Sequence, residues 1–138
     1  MYLIEHKKGY LCGVANREGE TYADWRTPYI DRSGLLMIYE SNSHPGKHAF
    51  VFFTAPASGF PGHYLKTSPG DLETEDGNII KLTTGNSIYR FRQDDSCIPS
   101  EDMKLLLADM YEEFGPSNSI RQVMEKELSL NAGHEPES

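Results

Sequence analysis

The sequence predicts an α+β domain, in which an antiparallel sheet of about six to seven short strands is followed by two C-terminal helices packed on it. Residues 1–98 contain short apolar and aromatic runs separated by Gly, Pro, Asn and Asp, which is the pattern of strands and turns. Residues 99–130 instead place apolar residues at helical spacing. The chain of 138 residues has the length of one domain, which we place at residues 1–130.

The first strands are predicted from short runs around glycines. Residues 2–5 and 10–15 flank a turn at residues 7–9, which predicts a hairpin whose glycine takes a positive φ. Residues 35–40 have the length of a strand, and residues 48–54 are almost continuously apolar. That continuity is typical of a central strand that is covered on both faces.

Residues 71–92 are predicted to form a three-stranded antiparallel meander with turns at residues 76–78 and 85–86. The first turn places Glu73 opposite Lys81, which is a favourable cross-strand pair. The second turn sets a register that places the apolar side chains on one face. A register shifted by one residue would mix these side chains with arginines, so the apolar pattern selects this turn. That face consists of Leu72, Ile80, Leu82, Tyr89 and Phe91. A barrel-like arrangement of the complete sheet is one alternative.

The first C-terminal helix is expected to have Ser100 as its N-cap and to end at Gly115, before Pro116. Its apolar residues recur on one helical face, which we expect to pack on the apolar face of the meander. These residues are Met103, Leu106, Leu107, Met110, Tyr111 and Phe114.

The second helix is expected to start near Ser119, with Gln122 completing a capping box. Its apolar positions are Ile120, Val123, Met124 and Leu128. Residues 131–138 lack apolar periodicity and are predicted to form a disordered tail.

The chain carries 13 basic and 21 acidic side chains, which gives a net charge of −8. Residues 99–138 hold three of the basic and nine of the acidic residues, so most of the excess lies near the C-terminus. Because nucleic-acid binders gain affinity from Lys and Arg on phosphates, this balance argues against a nucleic-acid partner. The acidity leaves two interpretations open: it keeps the protein soluble, or it forms an acidic face that binds a basic surface of a partner protein.

The longest apolar run, residues 49–53, is too short to span a membrane, and residues 1–8 do not resemble a secretion signal. We therefore expect a cytoplasmic protein without membrane contact. Cys12 and Cys97 are far apart in the sequence and are expected to be reduced and structural.

The sequence contains no recognisable motif for catalysis, metal binding or a cofactor, so we assign no catalytic residue, no metal ligand and no cofactor. This favours a protein that is not an enzyme. One alternative stays open, in which His44, His48 and His63 serve a small metal-dependent enzyme or a ligand-binding barrel around the Pro- and Gly-rich residues 55–70.

A second alternative involves the outer face of the meander, where Lys81, Arg90 and Arg92 form a basic strip. Such a strip would bind an anion or, weakly, a nucleic acid.

The residues that we predict to bind a partner protein fall into two groups. The first is the acidic side of the first C-terminal helix, whose carboxylates would face basic side chains of the partner. It consists of Glu101, Asp102, Asp109, Glu112 and Glu113. The second group is Phe60 and Tyr64, two aromatic side chains among Pro and Gly that would form a hot spot if exposed. The apolar positions of the second helix could also join two copies of the chain as a homodimer.

Residues 70–91 resemble a strand-turn-strand segment of small accessory proteins encoded by phages and prophages. In those proteins a Thr-x-Asn-Ser-x-Tyr core accompanies a glycine turn, and here Thr84, Asn86, Ser87 and Tyr89 form that core. The resemblance implies a shared fold element and a gene that belongs to a mobile genetic element. It assigns no catalytic residue to this chain. Small acidic phage proteins often inhibit host defence systems, anti-CRISPR proteins among them. We therefore expect a non-enzymatic accessory or inhibitor protein that acts by covering the surface of a partner.

Overall fold

The computed structural model of this chain describes residues 2–54, 64–115 and 117–133. Within these residues it contains seven strands, one short 3-10 helix and two α-helices. The strands are β1 (Tyr2–Asn16), β2 (Ser33–Glu40), β3 (His48–Thr54), β4 (Tyr64–Lys66), β5 (Asp71–Glu75), β6 (Ile79–Thr83) and β7 (Ser87–Gln93). The helices are the 3-10 helix Thr27–Tyr29, α1 (Ser100–Phe114) and α2 (Asn118–Gly133). The predicted α+β class is therefore confirmed.

The strands form one antiparallel sheet in the order β4-β3-β2-β1-β7-β6-β5, and this sheet is open. In the described part of the chain its edge strands β4 and β5 do not pair with each other, so the sheet does not close into a barrel. Residues 67–70 connect the two edges, and Gly70 exchanges two backbone hydrogen bonds with His48. The sheet nevertheless coils strongly. Phe52 on β3 packs edge-on against Phe91 on β7 with ring centroids 5.8 Å apart, although β2 and β1 lie between these strands.

β1 is one continuous strand, so the hairpin predicted at residues 7–9 is wrong. Residues 2–10 pair with β2 and residues 9–16 pair with β7, and β1 therefore changes neighbours around Gly9. A Cβ at Gly9 would lie 2.0 Å from the backbone carbonyl oxygen of Arg92 on β7. The glycine thus serves a close approach of two strand backbones and not a turn.

Two irregularities bend β1. Its pairing with β2 shifts register between Leu3 and Glu5, and its pairing with β7 shifts between Leu11 and Gly13. Such β-bulges kink a strand and increase its twist, which accounts for the coiling of the sheet around β1.

The coiled sheet separates two hydrophobic cores. β2 and β3 are buried on both faces, as predicted for residues 48–54, so successive side chains of these strands enter different cores. The first, inner core consists of Leu11, Val14, Tyr29, Leu36, Ile38, Phe50, Phe52, Leu65, Ile80, Leu82, Tyr89 and Phe91. The second, outer core consists of Leu3, Leu35, Met37, Val51, Phe53, Ile98, Met103, Leu106, Leu107, Met110, Ile120 and Val123.

The meander has the predicted register, but its apolar face does not receive the first helix. Glu73 pairs with Lys81, and Leu82 pairs with Tyr89. The apolar meander residues belong to the inner core, because the coiling of the sheet turns them towards Phe50 and Phe52. α1 and α2 pack instead on the opposite face of β2 and β3. The predicted packing partner of the first helix was therefore wrong.

α1 follows the predicted apolar stripe with two corrections. Ser100 is the first helical residue and Pro99 occupies the N-cap position without a side-chain hydrogen bond, so Ser100 is not the cap. Tyr111 was predicted to be buried but is 48% exposed, because it lies at the flank of the stripe. The side chain of Phe114 lies outside the described residues. The helix ends as predicted at Gly115, which has a φ of 73° and bonds through its N–H to the carbonyl of Tyr111.

α2 starts one residue before the predicted Ser119 and is capped differently. The hydroxyl of Ser117 accepts a hydrogen bond of 3.2 Å from the backbone N–H of Ile120, so Ser117 provides the cap that was assigned to Ser119. The helix continues to Gly133, three residues into the predicted tail, and residues 134–138 lie outside the described part. In the described residues neither helix has the length and apolar character needed to cross a membrane.

We predict that replacing Gly9 by alanine destabilises the protein by about 1–3 kcal/mol, because the new methyl group forces β1 and β7 apart. Urea denaturation measures the change. The matched control is Gly13→Ala on the same strand, where the nearest atom to a new Cβ is 3.7 Å away and contact is ordinary. If the two variants were equally stable, the close approach at Gly9 would not limit the fold.

Candidate functional site

The outer face of α1 is one of the two surfaces that the sequence assigns to partner binding. Glu101, Leu105, Ala108 and Glu112 follow one another at helical spacing, and all four are exposed. Leu105 is 56% exposed at the centre of this row. Tyr111 extends the apolar part of this surface. We call these residues, together with Asp109 and Glu113, the α1 outer face.

The carboxylates of the α1 outer face form no ion pair in the part of the chain that the structure describes. Among the described residues, no ion pair or side-chain hydrogen bond joins Glu101, Asp109, Glu112 or Glu113 to a basic group. Asp102, the remaining acid predicted for this site, is half-buried. The face therefore combines exposed apolar area with carboxylates that form no ion pair in the described residues, and it includes one exposed basic residue, Lys104.

The structure describes one residue of the predicted aromatic pair, Tyr64. Phe60 lies outside the described residues. Tyr64 is half-buried, and its ring stacks almost parallel on Phe53 at a centroid distance of 6.1 Å. Its backbone carbonyl accepts a hydrogen bond of 3.1 Å from the hydroxyl of Tyr29, whose pKa is raised by burial. Tyr64 thus packs against the body of the domain.

The basic strip on the meander is neutralised by the neighbouring strand. Lys81 lies 3.3 Å from Glu73 and 3.7 Å from Glu75, and Nε of Arg90 donates a hydrogen bond of 3.0 Å to Glu75. The hydrogen bond from Arg90 lowers the pKa of Glu75, and the charge of Lys81 acts in the same direction. Two of the three predicted anion-binding residues therefore have carboxylate partners within the sheet.

The third residue of the strip, Arg92, places its guanidinium 5.1 Å from the ring centroid of Tyr10. This cation–π contact lies on β1 and β7, where the two strands approach each other. Arg92 remains exposed and is the strip residue with the least charge compensation.

The histidines of the metal-site alternative do not form a ligand cluster in the described residues. His44 is exposed, and Nδ1 of His48 is buried without a hydrogen-bond partner in the described part of the chain. His63 lies outside the described residues. Within these limits, no group of three His, Cys, Asp or Glu side chains is placed to hold a metal ion.

His44 lines a surface cleft of about 350 Å³ together with two basic residues, Arg17 and Lys47. Nη1 of Arg17 donates hydrogen bonds to the backbone carbonyls of Thr84 and Gly85 at 3.0 and 3.3 Å. Lys47 forms an ion pair of 2.5 Å with Asp71, which also lines the cleft. Lys47 is thus paired with a carboxylate, whereas the hydrogen bonds of Arg17 to backbone carbonyls do not neutralise its positive charge.

An aromatic and basic cluster between β1 and β2 was not predicted. The guanidinium of Arg26 lies 4.2 Å from the ring centroid of Tyr22 and 5.0 Å from that of Trp25, and it pairs with Asp24 at 2.8 Å. Trp25 is 56% exposed. The region lacks strand or helix periodicity, so only the single tryptophan of the chain, next to an arginine, could have indicated it.

A buried charged cluster that fixes α2 to β1 was also missed. Nε2 of His6 lies 2.7 Å from a carboxylate oxygen of Glu127, and Nζ of Lys8 lies 3.6 Å from the other oxygen. His6 and Glu127 are buried, and the hydrogen bond to His6 lowers the pKa of Glu127. Alternation along β1 would have placed His6 and Lys8 on one face, but nothing in the sequence indicated that Glu127 reaches them.

The two cysteines are free and half-buried. Burial raises the pKa of the Cys12 thiol, and burial together with the charge of Asp94 raises the pKa of Cys97 to about 11. Both thiols are therefore protonated at neutral pH, as expected of structural cysteines.

The apolar side of α2, predicted as a dimer surface, is used within the chain. Ile120 and Val123 are fully buried in the outer core, and Met124 packs partly against it. The side chain of Leu128 lies outside the described residues. Ile120 and Val123 thus offer no surface to a second copy while α2 remains packed.

Comparisons with protein-family models, with curated proteins and with solved structures found no match for this chain.

We predict that Glu127→Gln lowers the free energy of unfolding at pH 7 by about 1–3 kcal/mol, because His6 and Lys8 lose a buried carboxylate. A carboxyl with a lowered folded-state pKa stabilises the protein above its unfolded pKa of about 4.3, and this stability is lost as the pH falls through the folded value. The difference between variant and wild type should therefore shrink at low pH. Urea denaturation at pH 7 and below pH 4 measures it.

The control for this prediction is Glu125→Gln on the same helix, since Glu125 is exposed. It should leave stability almost unchanged at both pH values. A pH-independent loss in Glu127→Gln would show that the carboxylate charge does not anchor α2.

Proposed function

We propose that this chain is a non-enzymatic protein-binding protein, and that the α1 outer face covers a basic surface of its partner. The observation that supports this proposal is the coincidence of exposed apolar side chains with carboxylates that have no basic partner in the described part of the chain. On the other charged surfaces described above, Lys81, Arg90 and Lys47 pair with carboxylates of the chain. The carboxylates of the α1 outer face remain available to another molecule.

The electrostatic part of the proposal follows from this difference. Carboxylates without intramolecular partners lose only water when they approach a basic protein, whereas Glu73 or Glu75 would first have to leave Lys81 and Arg90. Uncompensated charge on one helix also steers a basic partner towards that helix and accelerates association. We therefore assign Glu101, Asp109 and Glu112 to the contact itself.

The apolar part of the proposal concerns Leu105 and Tyr111. Interfaces typically combine an apolar centre with a charged rim, and tyrosine is enriched at their centres. On α1 the apolar centre would be Leu105, Ala108 and Tyr111, with acids on both sides along the helix. Binding would then remove apolar surface from water as well as pair charge.

The setting that we propose is the cytoplasm of a cell that carries a phage or another mobile element. The resemblance of residues 70–91 to small phage accessory proteins supports this, and so does the acidic composition. The chain would act as an accessory or inhibitor protein, of the anti-defence or anti-CRISPR type, by steric occlusion of a basic host protein.

The test starts with the immobilised chain and a lysate of the organism that encodes it, followed by identification of the retained protein. Binding of that purified protein is then measured by calorimetry over a range of salt concentrations. We expect Asp109→Asn/Glu112→Gln to weaken binding about tenfold at low salt, equivalent to about 1.4 kcal/mol, and to reduce the salt dependence. Leu105→Ser should weaken binding without changing the salt dependence.

The matched control is Glu18→Gln/Asp76→Asn, which removes the same number of exposed acids away from α1. It should bind like the wild type. Equal affinity and equal salt dependence for the α1 variants and the control would refute the proposal, as would retention of a nucleic acid instead of a protein.

A further inference from the structure

The surface cleft of about 350 Å³ lies where four connections of the sheet meet. Arg17 follows the end of β1, and His44 and Lys47 belong to the connection between β2 and β3. The other walls are residues 69–71, at the start of β5, and residues 83–85, between β6 and β7. The cleft is therefore built by segments that are far apart in the sequence.

Backbone contacts hold two of these segments in place. Gly70 exchanges two backbone hydrogen bonds with His48, and a Cβ at Gly70 would lie 2.2 Å from the carbonyl oxygen of Thr83. Asp71, the next residue, pairs with Thr83 in the register of β5 and β6. Because the sheet itself fixes these walls, the cleft exists before any ligand binds, as is usual for small-molecule sites.

The guanidinium of Arg17 is fixed at the cleft and keeps unused donors. Both of its hydrogen bonds start from Nη1 and reach the carbonyls of Thr84 and Gly85, which also line the cleft. In the part of the chain that the structure describes, Nε and Nη2 donate no hydrogen bond, and no carboxylate pairs with this residue. Nε and Nη2 form one edge of the planar guanidinium, and such an edge donates two parallel hydrogen bonds to a carboxylate or a phosphate.

The charge around the cleft is positive on balance, although the whole chain carries −8. Arg17 and Lys47 are cationic, and Asp71 is the one acid among the described residues that line the cleft. Lys47 contacts Asp71, but their side chains are 44% and 66% exposed. An exposed ion pair contributes little stability, so exchanging Asp71 for a bound anion costs Lys47 little.

We infer that this cleft binds the phosphate group of a small phosphate monoester, with the free edge of Arg17 as its main contact. A phosphate monoester carries a charge of about −1.5 to −2 and three acceptor oxygens at neutral pH. It therefore accepts the two donors of Arg17 and the ammonium of Lys47 at the same time, which a carboxylate with its single charge does less well. This interaction goes beyond the proposed function, which uses the outer face of α1.

The size of the cleft limits the rest of the ligand. Sites for small molecules measure about 300–1,000 Å³, so a volume of about 350 Å³ lies at the lower end of that range. Beside the phosphate it leaves room for a small organic part. Gly85 keeps this space open, because no atom lies within 4 Å of the position where its side chain would start.

The test titrates the full chain with glycerol phosphate at a constant ionic strength of about 0.15 M and follows the backbone amide signals by NMR. We expect saturable binding with a dissociation constant of about 1 mM or below, and the largest signal shifts at residues 83–85. Inorganic phosphate should compete for the same site, because the phosphate group carries the recognition. Glycerol is the neutral control and should cause no shift.

Two charge variants should change the affinity in opposite directions. Arg17→Lys keeps the positive charge but removes the edge with two donors, and it should weaken binding about tenfold. Asp71→Asn removes the negative charge of the cleft and should strengthen binding about threefold. The matched controls are Arg121→Lys and Asp76→Asn, at exposed positions that do not line the cleft, and both should bind like the wild type. A substitution that only disturbed the fold would not strengthen binding.

A third variant, Gly85→Leu, fills the cleft without changing its charge. Gly85 is not among the glycines with a positive φ, so the substitution should abolish binding while urea denaturation shows an intact fold. The inference is overturned if the titration does not saturate, if either charge variant binds like its control, or if the largest shifts lie outside the cleft. Binding of a protein partner at the α1 outer face should be unchanged in Arg17→Lys, which keeps this inference separate from the proposed function.

Discussion

The contact between the backbones of β1 and β7 at Gly9 is the constraint on which the rest of the fold depends. β1 belongs to two parts of the sheet, with β2 along its first half and β7 along its second half. β1 changes its pairing partner at Gly9, where the absence of a side chain allows the carbonyl of Arg92 to approach. Because β1 lies at the centre of the strand order, its bend sets the coil of the whole sheet.

The coiling of the sheet determines which surfaces of the domain stay exposed and can bind another molecule. It closes the apolar side of the meander against Phe50 and Phe52, so α1 and α2 have to cover the opposite face of β2 and β3. α1 then buries its apolar stripe and leaves its acidic side exposed. α2 is held against β1 through the contact of Glu127 with His6.

Charge pairing separates the exposed surfaces into two kinds. On the meander strip Lys81 and Arg90 pair with carboxylates, and in the cleft Lys47 pairs with Asp71, so these charges are used within the folded structure. The α1 outer face has no such compensation among the described residues. A third surface, the cluster of Tyr22, Trp25 and Arg26, lies between these two kinds. Its charge is paired, because Arg26 contacts Asp24, but its Trp25 side chain stays exposed.

The sequence by itself determined the α+β class, the register of the meander, the burial of β3 on both faces and the apolar stripe of α1. These features depend on local periodicity and on pairings between neighbouring strands, which the order of residues specifies. It also placed the acids of α1 on one side of a helix. The continuity of β1, the choice of sheet face for the helices and the meeting of His6 with Glu127 were decided by the tertiary structure. Each of these depends on elements far apart in the chain, and the bulges in β1 shift the alternation from which such contacts would be predicted.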